Sequence, residues 1–213
     1  ASVGTKQGFS IIKYDGDGND ATIPHGLLQT PTFIIKKFMG GTSSWDAWTP
    51  SLSSNKRMTL NTSDEESATT SYQSVNATTF DVHAGNNDDG VSMIAYLWHD
   101  VPGLQKFGTF TGNADSGGNG PFVELGFRPA LVWFKATTGT QPWNLFDSER
   151  GKINPIDEGL LINTNGAEFT GTARVDYLSN GFKVRAPSGG NPNVATTYIY
   201  CAWAEAPSVD LYG

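Results

Sequence analysis

Residues Ser92–Gly103 read SMIAYLWHDVPG, and Thr197–Ser208 read TYIYCAWAEAPS. Each is an alternating apolar run carrying a tryptophan, then a carboxylate, then a proline. Trp98 and Trp203 are 105 residues apart, as are Asp100 and Glu205, and Pro102 and Pro207. Alternation of this kind marks a strand with one buried face. Other phrases recur in the same order. PTFIIKK at Pro31–Lys37 matches PALVWFK at Pro129–Lys135 with an offset of 98, which Trp45 and Trp143 share. LNT at Leu60–Thr62 matches INT at Ile162–Thr164, and Phe80 matches Phe182, both with an offset of 102. Tyr14-Asp15-Gly16 has its counterpart in Phe110-Thr111-Gly112. A slowly growing offset is what loop insertions produce when the order of elements is kept. The chain reads as an N-terminal arm (1–7), a first β unit (8–103), a second β unit (104–208) and a C-terminal tail (209–213). The two units pack either as two sandwiches or as one larger one.

The rest of the chain points to the same class. Amphipathic helical periodicity is absent. Strands are expected at Phe9–Tyr14, Thr32–Phe38, Lys56–Asn61, Thr78–His83 and Val91–Trp98. In the second half they are expected at Lys106–Thr111, Ala130–Ala136, Trp143–Asp147, Gly159–Asn163, Val175–Leu178, Gly181–Arg185 and Thr196–Ala204. β-Branched and aromatic residues dominate these runs. Between them lie DGDGND, MGGTSS, GNNDDG, GNADSGGNG, LSNGF and PSGGNPN, all rich in turn formers. Short, evenly spaced strands predict an all-β antiparallel sandwich, lectin-like or jelly-roll-like.

Only 16% of the 213 residues are charged, and the net charge is −7 with no basic run. That argues against a nucleic-acid partner, which a phosphate-tracking surface would serve. It disfavours anionic membranes for the same reason. No stretch of about 20 apolar residues is present to insert in a bilayer, and the first residues have no apolar signal-peptide core. Cys201 stands in an apolar run without a second cysteine, so it reads as a buried free thiol.

The matched phrases resemble a family. GFSIIKYDGDGND followed by HGLLQTPTFIIKK is similar to the opening of a repeated domain in virion proteins of tailed bacteriophages, often marine or freshwater ones. KFGTFTGN, GFRPALVWFK, WNLFDSERG, LLINTNGAE, LSNGFKV and YIYCAWAE resemble it more closely, in order and spacing. The resemblance covers nearly the whole chain and rests on glycine turns, prolines before strands and aromatic core positions. It implies a non-enzymatic virion structural protein: a tail-fibre module that contacts the host cell surface. The alternative is a capsid decoration or cement protein, and the third reading is a polysaccharide depolymerase. The implied partners are other virion proteins and host surface glycans or a receptor, with assembly as a homotrimer. The family brings no catalytic residues and no cofactor.

The residues themselves offer a few candidates. In FDSERG, Asp147 and Arg150 are spaced for a local ion pair around a turn, with Gly151 supplying a permissive backbone. This reads as a structural corner or as a clamp in which Arg150 reads a sugar carboxylate; the first unit has no counterpart. Trp45, Trp48 and Trp143 lie beside Gly, Ser and Thr loops and could stack on sugar faces if exposed. Trp98 and Trp203 read as core anchors of the closing strands. DGDGND starts like a calcium loop but has Asp20 where glycine is required and Gly26 where glutamate is required, so a hairpin turn is expected. GNNDDG reads the same way. Glu149, Asp157, Glu158 and Glu168 show no pairing of the kind glycoside chemistry needs. His25, His83 and His99 lie in separate segments, so no metal site is expected.

Overall fold

Strand β9 (Ser92–Trp98) buries Met93, Ala95 and Leu97 and leaves the residues between them half-buried. This is the two-residue period of a pleated strand. It pairs antiparallel with both β2 (Phe9–Asp15) and β4 (Phe33–Phe38). Ala95 lies opposite Ile12 and Lys36, and Leu97 opposite Ser10 and Ile34. The computed structural model describes residues 1–172, 174–186 and 192–206. The expected tail 209–213, Pro207 and the first five residues of PSGGNPN lie outside the described residues.

The chain forms two compact units, one of Ala1–Asn61 with Glu66–Asp100, the other of Thr62–Glu65 with the residues from Val101 onward. In the first, β1 (Ser2–Gly4), β5 (Trp45–Trp48), β6 (Lys56–Thr59) and β7 (Ser67–Ala68) extend the sheet to the order β1-β2-β9-β4-β5-β6-β7. A second, two-stranded sheet joins β3 (Ala21–Pro24) to β8 (Thr79–Val82). Ile12, Ile34, Ala95 and Leu97 from the large sheet meet Ile23, Phe80 and Val82 from the small one, with Leu27 and Tyr72 completing the core. This is an antiparallel sandwich with its core between two sheets.

In the second unit, β10 (Gln105–Thr111), β12 (Pro129–Ala136), β13 (Asn144–Asp147), β14 (Leu160–Leu161) and β17 (Thr197–Ala204) form a sheet in the order β10-β17-β12-β13-β14. Facing it is the sheet β11-β16-β15, built from β11 (Phe122–Glu124), β15 (Val175–Leu178) and β16 (Gly181–Val184). The core is a lattice of rings: Phe134 lies within 5.0–5.7 Å of Phe110, Phe146 and Phe182, centroid to centroid. All the paired strands of both units are antiparallel. No α-helix occurs among the described residues, so no helix is long and apolar enough to cross a membrane. The run β2-β9-β4-β5-β6 and the run β10-β17-β12-β13-β14 place their strands in the same relative order.

The exits from β2 and β10 share a steric constraint. Gly16 N–H donates to the Val91 carbonyl at 2.9 Å, and Gly112 N–H donates to the Thr196 carbonyl at 3.0 Å. A Cβ on Gly16 would run into the carbonyl of Asp88, and one on Gly112 into that of Val194. Only glycine allows the backbone to pass this close.

Three expectations change. Trp98 and Trp203 are half-buried and do not enter the inter-sheet cores. Leu97 and Ala202 point inward, so the pleat turns the next residue to the opposite face. There Trp98 stacks on Phe9 at 4.8 Å and contacts Phe33 at 5.8 Å, while Trp203 meets Trp133 at 5.2 Å and Phe107 at 5.6 Å. Next, DGDGND makes no hairpin: β2 and β3 belong to different sheets, and the loop crosses between them, as does GNNDDG between β8 and β9. Its carboxylates are used as caps. Asp17 accepts from the Asn19 N–H and the Asn87 amide, and Asp20 from the Ala84 N–H. Finally, the strands β1, β3, β5, β7 and β11 were not foreseen; each is two to four residues long. By contrast, LSNGF does make the expected turn, joining β15 to β16. Cys201 is buried.

Phe134→Ala should cost the second unit about 3–5 kcal/mol, because the ring lattice closes only partly over the hole. A urea titration reads this as a lowered midpoint. A loss below about 1 kcal/mol would show that the ring cluster is not what holds the two sheets together.

Candidate functional site

The five residues singled out above divide between the two units. Trp45, at the start of β5, is half-buried and stacks on Tyr96 at 6.5 Å. Trp48, at the end of β5, stacks on Tyr72 at 5.7 Å and borders a hollow of about 320 Å³ with Thr49, Leu52, Asn55 and Gln73. Trp143 is fully buried, which corrects its reading as a ring presented to a ligand. Its backbone N–H donates to the Asn163 side chain at 2.8 Å, holding it at the entry to β13.

Asp147 and Arg150 form the expected pair, with Arg150 Nε donating to Asp147 Oδ2 at 2.8 Å. The other carboxylate oxygen accepts from the backbone N–H groups of Arg150 (2.8 Å) and Glu149 (3.1 Å), so Asp147 caps its own turn. Arg150 also lies 3.6 Å from Glu168. Its guanidinium is therefore shared between two carboxylates, which lowers its capacity to read a third. Gly151 does not supply a left-handed backbone. It is buried, and a Cβ there would strike Ile156. Beside it lies a hollow of about 280 Å³ bordered by Lys152, Ile153, Asp157 and Glu158. Asp147→Ala should cost about 1–3 kcal/mol, since it strands two backbone donors. Arg150→Ala should cost less than about 1 kcal/mol, because the pair is partly exposed. Urea midpoints of the two variants decide; an equal loss would mean that the ion pair holds the corner.

His25 is buried between Leu27 N–H, which donates to Nδ1 at 3.2 Å, and the Asn76 carbonyl, 3.0 Å from Nε2. Burial, above all, pushes its pKa down, and the neutral tautomer satisfies both contacts. No three His, Cys, Asp or Glu side chains gather as metal ligands among the described residues.

The most unusual chemistry is a buried ionic triad that the sequence reading missed. Lys36 lies directly opposite Asp46 across β4 and β5, with Nζ 3.9 Å from Oδ2. Arg57 Nη1 donates to Asp46 Oδ1. Lys36 Nζ also donates to the Asn86 carbonyl at 3.1 Å and lies 5.7 Å from the centre of the Phe38 ring and 5.9 Å from that of Tyr72. Lys36 and Asp46 are almost fully enclosed; 27% of the Arg57 side chain is exposed. The Tyr14 and Tyr72 hydroxyls and Arg57 Nε are buried without a hydrogen-bond partner among the described residues. One signal was available. Lys36 is in phase with Ile34 on β4, and so is a charged residue on the inward face.

The second unit fills the same register positions differently. Phe134 lies opposite Asn144 as Lys36 lies opposite Asp46, and Gly159 precedes the partner of Asn144 by two residues as Arg57 precedes the partner of Asp46. The fold thus accepts an apolar ring where the first unit buries an amine.

Burial pushes the Lys36 amine down to about 8, with Asp46 and Asp88 opposing the shift and Arg57 adding to it. Burial likewise pushes Asp46 up, against the two cations. Lys135, fully buried in the second unit, is also pushed down to about 8 by burial, with Asp64 and Glu65 opposing. A folded amine that releases its proton near pH 8 while the unfolded chain holds it to about 10.4 costs stability below pH 8. That cost is relieved as pH rises. The urea midpoint should therefore climb between pH 8 and 9.5, before the tyrosines of the unfolded chain ionise. Lys36→Met should flatten part of that climb; an identical slope in the variant would exclude Lys36 as its source.

No curated protein and no solved structure matches the chain. A family model described as "Domain of unknown function (DUF7483)" matches residues 1–207. With nearly the whole length matched, the chain belongs to the DUF7483 domain family.

Proposed function

We propose that the chain is a non-enzymatic structural protein of a tailed-phage virion, a homotrimeric tail-fibre module whose loops bind the host cell surface. The phage assignment is supported by the resemblance of phrases such as GFRPALVWFK and YIYCAWAE to repeated virion domains. The binding role is supported by one observation in the first unit: a row of polar hollows along residues 68–75. Thr70 is shared by a hollow beside Arg57, about 240 Å³, and one beside Asp20, Asp81 and His83, about 500 Å³. Gln73 is shared by the latter and the hollow beside Trp48. Adjacent hollows offering amide, hydroxyl and carboxylate groups beside an aromatic ring suit the hydroxyl-rich, apolar-faced units of a surface glycan. A binding role fits the second unit too, where Asp147 and Glu168 are tied to Arg150 instead of flanking an open cleft. Weak contacts of this type gain strength when several copies engage at once.

Removing this module from the virion should abolish adsorption, and the purified chain should compete with virions for cells. Unchanged adsorption overturns the proposal. Binding to empty capsids without binding to cells would assign the chain to capsid decoration instead. Light scattering should give three times the mass of one chain, and a monomer would exclude the trimer.

A further inference from the structure

Burying Lys36, Asp46 and Arg57 together is expensive. Taking such charges out of water costs more than their mutual attraction returns unless their hydrogen bonds are complete. Here they are incomplete, since Arg57 Nε has no acceptor among the described residues. Nor does the architecture require them, because the second unit builds the same register from Phe134, Asn144 and Gly159. In direct contact, two cations face one carboxylate, and Asp88 offsets part of the remaining positive charge at longer range.

That charge has one outlet. Lys36 and Asp46 are closed off, whereas Arg57 borders the hollow of about 240 Å³ that Ala68, Thr69, Thr70 and Asn86 complete. The Asn86 carbonyl is the acceptor for Lys36 Nζ, so the buried amine braces the wall of this hollow. The volume falls below the roughly 300–1,000 Å³ of pockets that enclose drug-sized molecules. It suits one charged group of a larger ligand. Arg57 commits Nη1 to Asp46 and buries Nε, but 27% of its side chain stays exposed and borders the hollow, where the guanidinium meets a carboxylate.

We propose that Arg57, braced by Lys36 and Asp46, reads the carboxylate of an acidic sugar in this hollow. The inference rests on the glycan-binding reading for the class of ligand and adds the group by which the ligand is recognised. It assigns the first unit a charge-reading role that the second unit, with an aromatic ring in place of the amine, does not share.

The test is an NMR titration of the full chain, following the Arg57 Nε–H resonance and the Thr69 and Thr70 amides. Glucuronate should shift all three, while glucose and inorganic phosphate should not. Arg57→Gln should weaken glucuronate binding at least about ten-fold, the loss of a charge-assisted contact. Because any partial removal unbalances the buried charges, the triple variant Lys36→Met, Asp46→Asn, Arg57→Gln, which leaves no buried charge unpaired, provides the folded control. It should keep the wild-type urea midpoint to within a small margin and lose glucuronate binding. Equal shifts with glucose or phosphate, no shift with glucuronate, or undiminished binding by the folded triple variant would each overturn the proposal. A positive titration with unchanged virion adsorption would overturn the host-contact reading alone. A negative titration with lost adsorption would overturn the carboxylate site alone.

Discussion

The pairing of β9 with β2 and β4 is the constraint on which the first unit depends. Through Ile12–Ala95 and Ile34–Leu97 it decides which side of three adjacent strands meets the small sheet. A slip of one residue would turn every side chain of a strand to the other face. Lys36 and Asp46 would leave the interior, and Trp98 would enter it. β17 holds the same place in the second unit, with Val132 opposite Ala202 and Phe134 opposite Tyr200. Both strands are written late in their units yet lie between strands written much earlier. Their contacts are non-local, and such pairings must overcome loop-closure entropy before they gain stability.

The long strands were legible because their composition and their burial agree. FSIIKYD and SMIAYLW alternate, and the structure buries the alternate residues. The short ones were not: ATIP and FVE become strands only because β8 and β16 are there to pair with them. A tertiary partner, not local preference, decides such segments. Trp98 and Trp203 show a different limit. Period two identifies two faces without saying which is the core, and the bulk of tryptophan suggested the wrong one. At FDSERG the ion pair could be read from spacing, but the reason for Gly151 could not, because Ile156 is its obstacle and closeness in space is not written as a motif. The triad lies between these cases. Lys36 was visible as a charge in phase with the core, but Arg57 is brought to Asp46 only by the pairing of β5 with β6.

The contrast between the units is one of polarity within a shared order of strands. The second unit is held by interlocked rings, and the hydroxyl of its buried Tyr177 finds the Phe146 carbonyl at 2.7 Å. The first is held by a smaller apolar core with an ionic cluster at one end, where two tyrosine hydroxyls have no partner among the described residues. Unpaired polar groups in a low dielectric are costly. At matching register positions the second unit packs a ring where the first holds a charge.

Gly16 and Gly112 set a bound on how far each unit can be rewritten. Loops can lengthen at little cost, since closure entropy grows only slowly with length. Core residues can be exchanged, as the amine and the phenyl ring show. At the exits from β2 and β10, however, a main-chain oxygen occupies the space of any side chain, even a methyl group. No neighbouring substitution can relieve that clash, because the obstacle is not a side chain. These are points at which neither unit accepts a side chain, however freely the chain between them is rewritten.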